Sequence, residues 1–219
     1  MDNIKMAGKR ALLIADLQND FCPSGALAVS EGDKIVPVVN EYISLFRSAG
    51  LPVYLTRDWH PPVTVHFKKY GGVWPPHCVQ GTKGAEFHPD LDVTGYNAII
   101  TKGDNPDEDS YSAFSGHDDS GRRLLDALRR ENVTELYVGG LATDYCVKQS
   151  ALDGLEEGFK VTVLLDAVKG VDLTPGDSAR AIDEVKRKGG KTATIDTIEL
   201  PEKESAGEES SARRKKKAG

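Results

Sequence analysis

Short apolar runs rich in β-branched residues recur along the chain and alternate with segments in which apolar residues have a helical spacing. Runs of this length, bounded by polar residues and glycines, are typical of buried β-strands. They occupy positions 11–15, 53–56, 98–101, 136–138 and 161–165, with a weaker run at 192–195. The pattern therefore predicts six strands of a sheet that is largely buried.

Four helices are predicted between these strands, because apolar residues recur there three or four positions apart. Their apolar positions are Ile35, Val38, Val39, Tyr42, Ile43 and Phe46; Leu124, Leu125, Leu128 and Val133; Val147, Ala151, Leu152 and Leu155; and Ala179, Ile182 and Val185. Glycines follow three of the four segments, as is common after a helix C-terminus. Strands that alternate with helices predict an α/β fold of three layers, α/β/α, with a mostly parallel sheet.

Two segments interrupt this alternation. Residues 58–95 carry four of the five histidines and both tryptophans, and a long loop of this composition is typical of a functional site. Residues 201–219 have almost no apolar content and are predicted to be a disordered, charged tail. We therefore expect one domain over residues 1–200, a length that suits a single hydrophobic core, followed by this tail.

Charge and cysteine content narrow the class of protein. The net charge is −6, but the tail carries six basic and four acidic residues, which leaves 22 basic and 30 acidic residues before it. An acidic body argues against nucleic acid as a partner, and no apolar stretch is long enough to cross a membrane. Three cysteines indicate a reduced, cytoplasmic setting. The basic run at 213–217 leaves a nuclear localisation signal as an alternative, and a homo-oligomer is left open.

The strongest candidate for a nucleophile is Cys146. It follows a predicted strand that ends at Gly139 and Gly140, and a helix is predicted to begin near Thr143. A thiol in the first turn of a helix is expected to have a lowered pKa, and free backbone N–H groups there can bind an oxyanion. The alternative is a small buried hydrophobic residue.

Two charged residues lie at equivalent positions after other strands. Asp16 directly follows the first strand, and Lys102 follows the third. Residues at the carboxyl ends of parallel strands converge on one crevice, so Asp16, Lys102 and Cys146 are expected to meet there. An aspartate can exchange a proton with a thiol, and a lysine can hold both in charged form. The alternatives are a turn-capping aspartate and a solvent-exposed lysine.

The loop after the second strand carries a candidate metal site. Asp58 and His60 are two positions apart and project to one side of an extended chain, His66 follows, and His77 lies further along the loop. One carboxylate with two or three imidazoles suits a single divalent cation, Zn²⁺ before Fe²⁺ or Mn²⁺. The alternative is that these histidines only bond to loop backbone. His88 and His117 lie in polar turns, and we place neither in the site.

Five separated motifs, in this order, resemble the nicotinamidase/pyrazinamidase branch of the isochorismatase-like hydrolases. They read DLQNDFCPSGALAV at 16–29, TRDWHPP at 56–62, WPPHCVQGTKGAEFHP at 74–89, TKGDNPDEDSYSAF at 101–114 and GLATDYCV at 140–147. The resemblance spans about residues 10–195 and implies the isochorismatase-like hydrolase fold. The loop after Lys102 carries additional acids, Asp104, Asp107, Glu108 and Asp109.

This resemblance implies a role for each candidate residue. Cys146, Asp16 and Lys102 would be the catalytic residues of an amidase, and the backbone amides of Ala142 and Cys146 would form the oxyanion hole beside a cis peptide bond that precedes Ala142. Asp58, His60 and His77 would hold the metal, with His66 at a fourth position that varies within the family. Aromatic positions that enclose a pyridine ring are matched by Phe21, Trp74 and Tyr111, for which ordinary core packing is the alternative.

The activity that the resemblance implies is hydrolysis of nicotinamide to nicotinate and ammonia through a cysteine thioester, in NAD salvage. The same pocket should accept pyrazinamide. One alternative is another amide or ureido hydrolase of the same fold, which would need no metal. An isochorismatase would lack the nucleophilic cysteine, and a non-catalytic binding protein would not need the Cys146, Asp16 and Lys102 set.

Overall fold

The computed structural model describes residues 9–198, which form one six-stranded parallel sheet covered by helices on both faces. The strands are β1 (Lys9–Ala15), β2 (Val53–Asp58), β3 (Ala98–Lys102), β4 (Val133–Leu141), β5 (Lys160–Lys169) and β6 (Lys191–Ala193). The helices are α1 (Val36–Ser48), α2 (Leu124–Arg130), α3 (Lys148–Glu156) and α4 (Asp177–Arg187). The predicted tail at 201–219 lies outside the described residues. No helix in the described part of the chain is long and apolar enough to span a membrane.

The strand order β3-β2-β1-β4-β5-β6 places β1 in the middle of the sheet. The chain runs outward from β1 through β2 to β3 and then returns to the other side of β1 as β4. The connection that follows β1 therefore runs toward one edge of the sheet, and the connection that follows β4 runs toward the other edge. An open α/β sheet has its ligand crevice at such a point.

Alternating residues of β1 pack into two separate cores. Leu12 and Ile14 face the core that α1 covers, whereas Leu13 faces the core that α2, α3 and α4 cover. Each strand residue points to the opposite face from its neighbour, so a continuous apolar run serves both layers. The predicted three-layer α/β/α fold is confirmed.

One local prediction is wrong. The helical spacing predicts Val133 in the second helix, but α2 ends at Arg130 and Val133 is the first residue of β4. Asn132 has a positive φ of 57°, which breaks the helix and turns the chain into the strand. The predicted helix start near Thr143 is confirmed: Cys146 lies in the first helical turn, Thr143–Val147, which is π-helical and precedes α3.

Gly140 permits β1 and β4 to approach each other just before the site. Its φ is +104°, and a Cβ atom there would lie 2.1 Å from the carbonyl oxygen of Ala15. A side chain would therefore impose both backbone strain and a clash with the neighbouring strand.

We expect Gly140→Ala to lower the free energy of unfolding by roughly 2–5 kcal/mol, measured by urea denaturation. Gly158→Ala is the matched control, because Gly158 also has a positive φ, of +89°, but no atom lies near the added Cβ. The control should lose only about 1–2 kcal/mol for the backbone conformation. Equal losses in the two variants would contradict the steric explanation.

Candidate active site and metal site

The aspartate, lysine and cysteine predicted to converge do lie together at the carboxyl edge of the sheet. Asp16 follows β1, Lys102 ends β3, and Cys146 lies in the π-helical turn after β4. The Nζ atom of Lys102 is 2.8 Å from Oδ2 of Asp16 and 3.5 Å from Sγ of Cys146. All three side chains are almost fully buried. Lys102 therefore contacts both the candidate base and the candidate nucleophile.

Neighbouring strands fix Asp16 in this position. Thr56 of β2 donates its hydroxyl hydrogen to Oδ1 of Asp16 at 2.5 Å, and the Asp16 backbone N–H donates to the Thr56 backbone carbonyl at 3.3 Å. Oδ2 of Asp16 has no hydrogen bond of good geometry in spite of its ion pair with Lys102. One carboxylate oxygen of Asp16, one of Asp58 and the Cys146 sulfur lie within 4.8 Å of one another. The carboxylate of Asp16 is therefore placed to accept a proton from the Cys146 thiol.

Lys102 also forms a buried ion pair with Oδ1 of Asp58, the last residue of β2. Two buried carboxylates thus share one ammonium group. The other oxygen of Asp58, Oδ2, lies 3.7 Å from Nε2 of His60. Asp58 therefore joins the predicted catalytic residues to the predicted metal ligands.

The pKa values of these groups follow from burial and from Lys102. Burial raises the pKa of Asp16 above its ordinary value, although the ammonium of Lys102 opposes this. For Asp58 burial acts in the same direction, but Lys102 and His60 outweigh it and hold the pKa below its ordinary value. Burial opposes a charged Lys102, but Asp16 and Asp58 outweigh burial and raise its pKa well above the ordinary value. Lys102 is accordingly a permanent cation.

The expectation of a lowered thiol pKa is wrong. Burial raises the pKa of Cys146 well above its ordinary value, and the attraction of Lys102 only partly offsets that. The Cys146 side chain is almost fully buried, so a bare thiolate there would have little solvation by water. Cys146 is therefore a neutral thiol at rest, and it needs an adjacent base to become a nucleophile.

Three of the histidines predicted as metal ligands form one buried cluster. One ring nitrogen each of His60, His66 and His77 lies within 4.8 Å of the other two, and the His60 and His66 rings are stacked with centroids 4.5 Å apart. The structure thus places His66, the residue at the variable position, beside the other two. Burial lowers the pKa of His66 and takes that of His77 to about 4, so both rings are neutral at neutral pH.

The Nδ1 atom of each of these rings forms a hydrogen bond with an oxygen atom. His60 Nδ1 donates to the carbonyl of Gly103 at 2.9 Å, His77 Nδ1 donates to the carbonyl of Pro75 at 2.8 Å, and His66 Nδ1 pairs with Oδ1 of Asp109. These oxygens are acceptors, so Nδ1 carries the proton and Nε2 keeps its lone pair. An oxygen behind each imidazole is the usual support of a metal-binding histidine.

The donor set suits a divalent transition metal. Among the described residues, Asp16 Oδ2 and His60 Nε2 are the buried side-chain atoms that have no hydrogen-bond partner. A buried nitrogen with an unused lone pair is costly unless a ligand completes it. Three imidazoles next to a carboxylate match the preferences of Zn²⁺, Fe²⁺ and Mn²⁺.

A pocket opens beside Cys146 and the histidine cluster. Its walls include the three predicted aromatic residues Phe21, Trp74 and Tyr111. Trp74 Nε1 donates to the hydroxyl of Tyr111 at 2.9 Å, which fixes the two rings relative to each other. The ring of Phe21 lies 5.5 Å from that of His77. The pocket is therefore an aromatic slot that ends at the thiol and the imidazoles.

The backbone at the floor of the pocket is shaped by the π-helical turn. The Leu141–Ala142 peptide bond is cis, as the family resemblance implied, and Ala142 lines the pocket. The N–H groups of Tyr145 and Val147 both donate to the Ala142 carbonyl at 3.1 Å. N–H groups in the first turn of a helix lack intrahelical acceptors, so this turn is a suitable place for an oxyanion hole.

Sequence reasoning missed several residues that support the site. Tyr145 forms part of the pocket wall and packs edge-on against Trp74, with ring centroids 5.0 Å apart. Gln18 is fully buried and clamps the end of β2, because its amide exchanges hydrogen bonds of 2.7 Å with the backbone N–H and carbonyl of Asp58. Gln18 lies two residues after Asp16, and a polar side chain so close to a buried strand end was the available signal.

The two histidines predicted to lie outside the site contact other groups. His117 bonds to Asp104 through Nε2 at 2.9 Å and to the carbonyl of Asp118 through Nδ1. His88 Nδ1 accepts from the backbone N–H of Asp90 in a loop turn. Neither is a member of the buried histidine cluster.

The fold and this site are those of an α/β hydrolase-like protein. Comparisons with known proteins identify the family within this class. Residues 10–197 match the family model described as Isochorismatase domain, and the chain belongs to this family. The predicted family and fold are therefore confirmed.

Three characterised proteins are similar to this chain in sequence or in structure. A nicotinamidase of Escherichia coli (strain K12) is 45% identical over 205 residues, which cover 85% of this chain and 95% of that protein. A pyrazinamidase of Pyrococcus horikoshii, solved in complex with zinc, has a TM-score of 0.77 and 46% identity and covers 85% of this chain and 99% of its own. PnC1 from L. infantum, in complex with nicotinate, has a TM-score of 0.79 and 33% identity, with coverages of 89% and 96%.

Proposed function

We propose that the chain is a metal-dependent nicotinamidase that hydrolyses nicotinamide to nicotinate and ammonia. The observation that carries this proposal is the buried Asp16, Lys102 and Cys146 set next to three converging imidazoles in one aromatic slot. The similarity to an E. coli nicotinamidase over most of both chains supports the same activity. Nicotinamide is the small-molecule partner, and NAD salvage is the pathway that this activity would serve.

The proposed reaction begins with transfer of the Cys146 thiol proton to Oδ2 of Asp16. The thiolate then attacks the carboxamide carbon, and the backbone N–H groups of Ala142 and Cys146 bind the oxyanion. Asp16 returns its proton to the departing nitrogen as the C–N bond breaks, which releases ammonia and leaves a thioester on Cys146. Lys102 stays charged throughout and stabilises the thiolate that is formed transiently.

The second half of the reaction uses Asp16 again. The carboxylate takes a proton from water, and the resulting hydroxide attacks the thioester carbon. The C–S bond breaks, and the Cys146 sulfur recovers a proton from Asp16. The acid that is formed loses its proton to water and leaves the slot as nicotinate. The raised pKa of Asp16 suits a group that must both accept and donate a proton.

We propose His60, His66 and His77, with Asp58, as the residues that would hold one divalent cation, with zinc as the first choice. When bound, this cation would act as a Lewis acid toward the ring nitrogen of the substrate and orient the carboxamide toward the thiol. Phe21, Trp74 and Tyr111 would stack around the ring. The zinc complex of the P. horikoshii relative supports the choice of metal.

Ammonia release tests the proposal directly. The zinc-loaded chain should hydrolyse nicotinamide and pyrazinamide, and removal of the metal with a chelator should lower the rate at least about 100-fold, because a Lewis acid contributes several kcal/mol. Benzamide is the matched control substrate: it has the same shape and carboxamide but no ring nitrogen, and it should react far more slowly. Full activity after chelation, or equal rates on benzamide, would favour the metal-independent amide or ureido hydrolase instead.

A further inference from the structure

The three clustered histidines are supported in two different ways. The Nδ1 atoms of His60 and His77 bond to backbone carbonyls, those of Gly103 and Pro75. The Nδ1 atom of His66 bonds instead to the carboxylate of Asp109. A backbone carbonyl is neutral and is held by the fold, whereas a side-chain carboxylate carries a charge and can rotate away. His66 is thus the ligand whose support is charged and adjustable.

The contact between His66 and Asp109 joins a buried side chain to an exposed one. The side chain of His66 is 3% exposed, whereas that of Asp109 is 53% exposed. Asp109 belongs to the acid-rich loop after Lys102 that distinguishes this sequence. The loop is held against the histidine segment by a hydrogen bond of 2.8 Å from the Val65 N–H to the Pro106 carbonyl. The carboxylate therefore contacts a buried ring from a loop that is hydrogen-bonded to the histidine segment.

We propose that Asp109 is a positioning residue that sets how tightly the histidine cluster holds a divalent cation. By accepting the Nδ1–H of His66, the carboxylate fixes the tautomer and the ring orientation, and its negative charge makes the Nε2 lone pair more basic. A carboxylate behind a ligand histidine strengthens metal binding in this way. The inference rests on the metal site of the proposed function and adds to it a residue that does not touch the metal.

The same loop also reaches the substrate slot. Tyr111 lies two residues beyond Asp109, its ring centroid is 5.7 Å from that of His66, and its hydroxyl accepts from Trp74. A substitution at Asp109 is therefore expected to alter the position of the His66 ring directly and the position of Tyr111 in the pocket wall indirectly. Direct measurement of metal affinity separates the first effect from the second, because it needs no substrate.

The experiment measures zinc affinity by competition with a chromophoric chelator in full-length protein. Asp109→Ala should weaken zinc binding about 10–100-fold, the usual effect of losing such a support. Asp109→Asn should weaken it less, because the amide oxygen can still accept the hydrogen bond without the charge. Asp107→Ala is the matched control: Asp107 is an exposed acid of the same loop, and its backbone N–H bonds within the loop to Asn105. It should bind zinc as the unchanged protein does.

A second pair of variants tests whether the effect passes through His66. In a His66→Ala background, Asp109→Ala should cause no further loss of zinc affinity. The melting temperature of the metal-free protein should be the same for all the Asp109 variants, since the side chain is largely exposed. Unchanged affinity in Asp109→Ala, an equal loss in Asp107→Ala, or a full loss in the His66→Ala background would each overturn the inference. Failure of the unchanged protein to bind zinc would overturn the proposed metal site as well, so the two failures are distinguishable.

Discussion

Cys146→Ala is expected to lower the rate of ammonia release from nicotinamide by at least about 10⁴-fold, the scale of losses when a nucleophile that acts as part of a set is removed. Alanine is smaller than cysteine and apolar, so the aromatic slot and the histidine cluster should persist. Nicotinamide binding to the zinc-loaded variant should therefore remain measurable by calorimetry. Mass spectrometry of the unchanged enzyme, quenched during turnover, should show an acyl adduct on Cys146 that the variant lacks.

Cys22→Ala provides the control for this experiment. Cys22 is also a buried, free cysteine, but it packs in the core on the α1 side and does not line the slot. This variant should keep its turnover and at most lose stability through a small cavity. Substantial residual turnover in Cys146→Ala, or an equal loss in Cys22→Ala, would rule out Cys146 as the nucleophile.

Lys102→Met should have the second largest effect, because it removes the one ammonium group between two buried carboxylates. Methionine has a similar length, so the volume is kept while Asp16 and Asp58 lose their counter-charge. Breaking a buried ion pair by removing one partner costs about 3–5 kcal/mol of unfolding free energy. Turnover should also be lost, because the thiolate of Cys146 would have no neighbouring cation.

The pH dependence of stability identifies the cause of this loss. Without the ammonium, burial should raise the pKa of Asp16 further above its value in the unfolded chain. A raised folded-state pKa gives stability that is present below the unfolded pKa and is lost as pH rises. Urea denaturation of the metal-free variant should therefore show a deficit, relative to the unchanged protein, that is larger at pH 7 than near pH 4.

A surface lysine supplies the comparison. Lys160→Met removes an ion pair with Glu135, but the Lys160 side chain is 77% exposed. Exposed pairs contribute roughly 0–1 kcal/mol, so this variant should differ little from the unchanged protein at either pH. A Lys102→Met variant that behaved in the same way would show that the buried charges are compensated by something other than Lys102.

The layered fold was predictable because buried positions are occupied by apolar residues, and their spacing differs between strands and helices. The run at 11–15 is apolar throughout, since successive residues of β1 face two different cores. Parallel strands bring their carboxyl ends to one edge of the sheet, so the linear order of strands and polar residues was enough to group Asp16, Lys102 and Cys146. Val133 was harder to assign, because an apolar residue just beyond a helix satisfies the helical spacing and the strand pattern equally well.

The pKa values and ion pairs of the site were harder to predict from the sequence than the fold was. A helix N-terminus in sequence indicates a lowered thiol pKa, but the Cys146 side chain is almost fully buried, and burial raises its pKa instead. The partners of Lys102 were also undecided, because sequence spacing gives no distances between strands. Only the folded sheet shows that Asp58 competes with Asp16 for the same ammonium group.

By itself, the sequence determined the three-layer scaffold, the family and the set of residues that could meet at the sheet edge, because periodicity and motif order are properties of the linear chain. The tertiary structure alone decided how these residues are paired. It showed that Lys102 is shared by two carboxylates, that His66 joins His60 and His77, and that the support of His66 comes from Asp109. The pairs Lys102–Asp58 and His66–Asp109 join residues more than 40 positions apart, and these contacts exist only once the strands have fixed the chain segments in space.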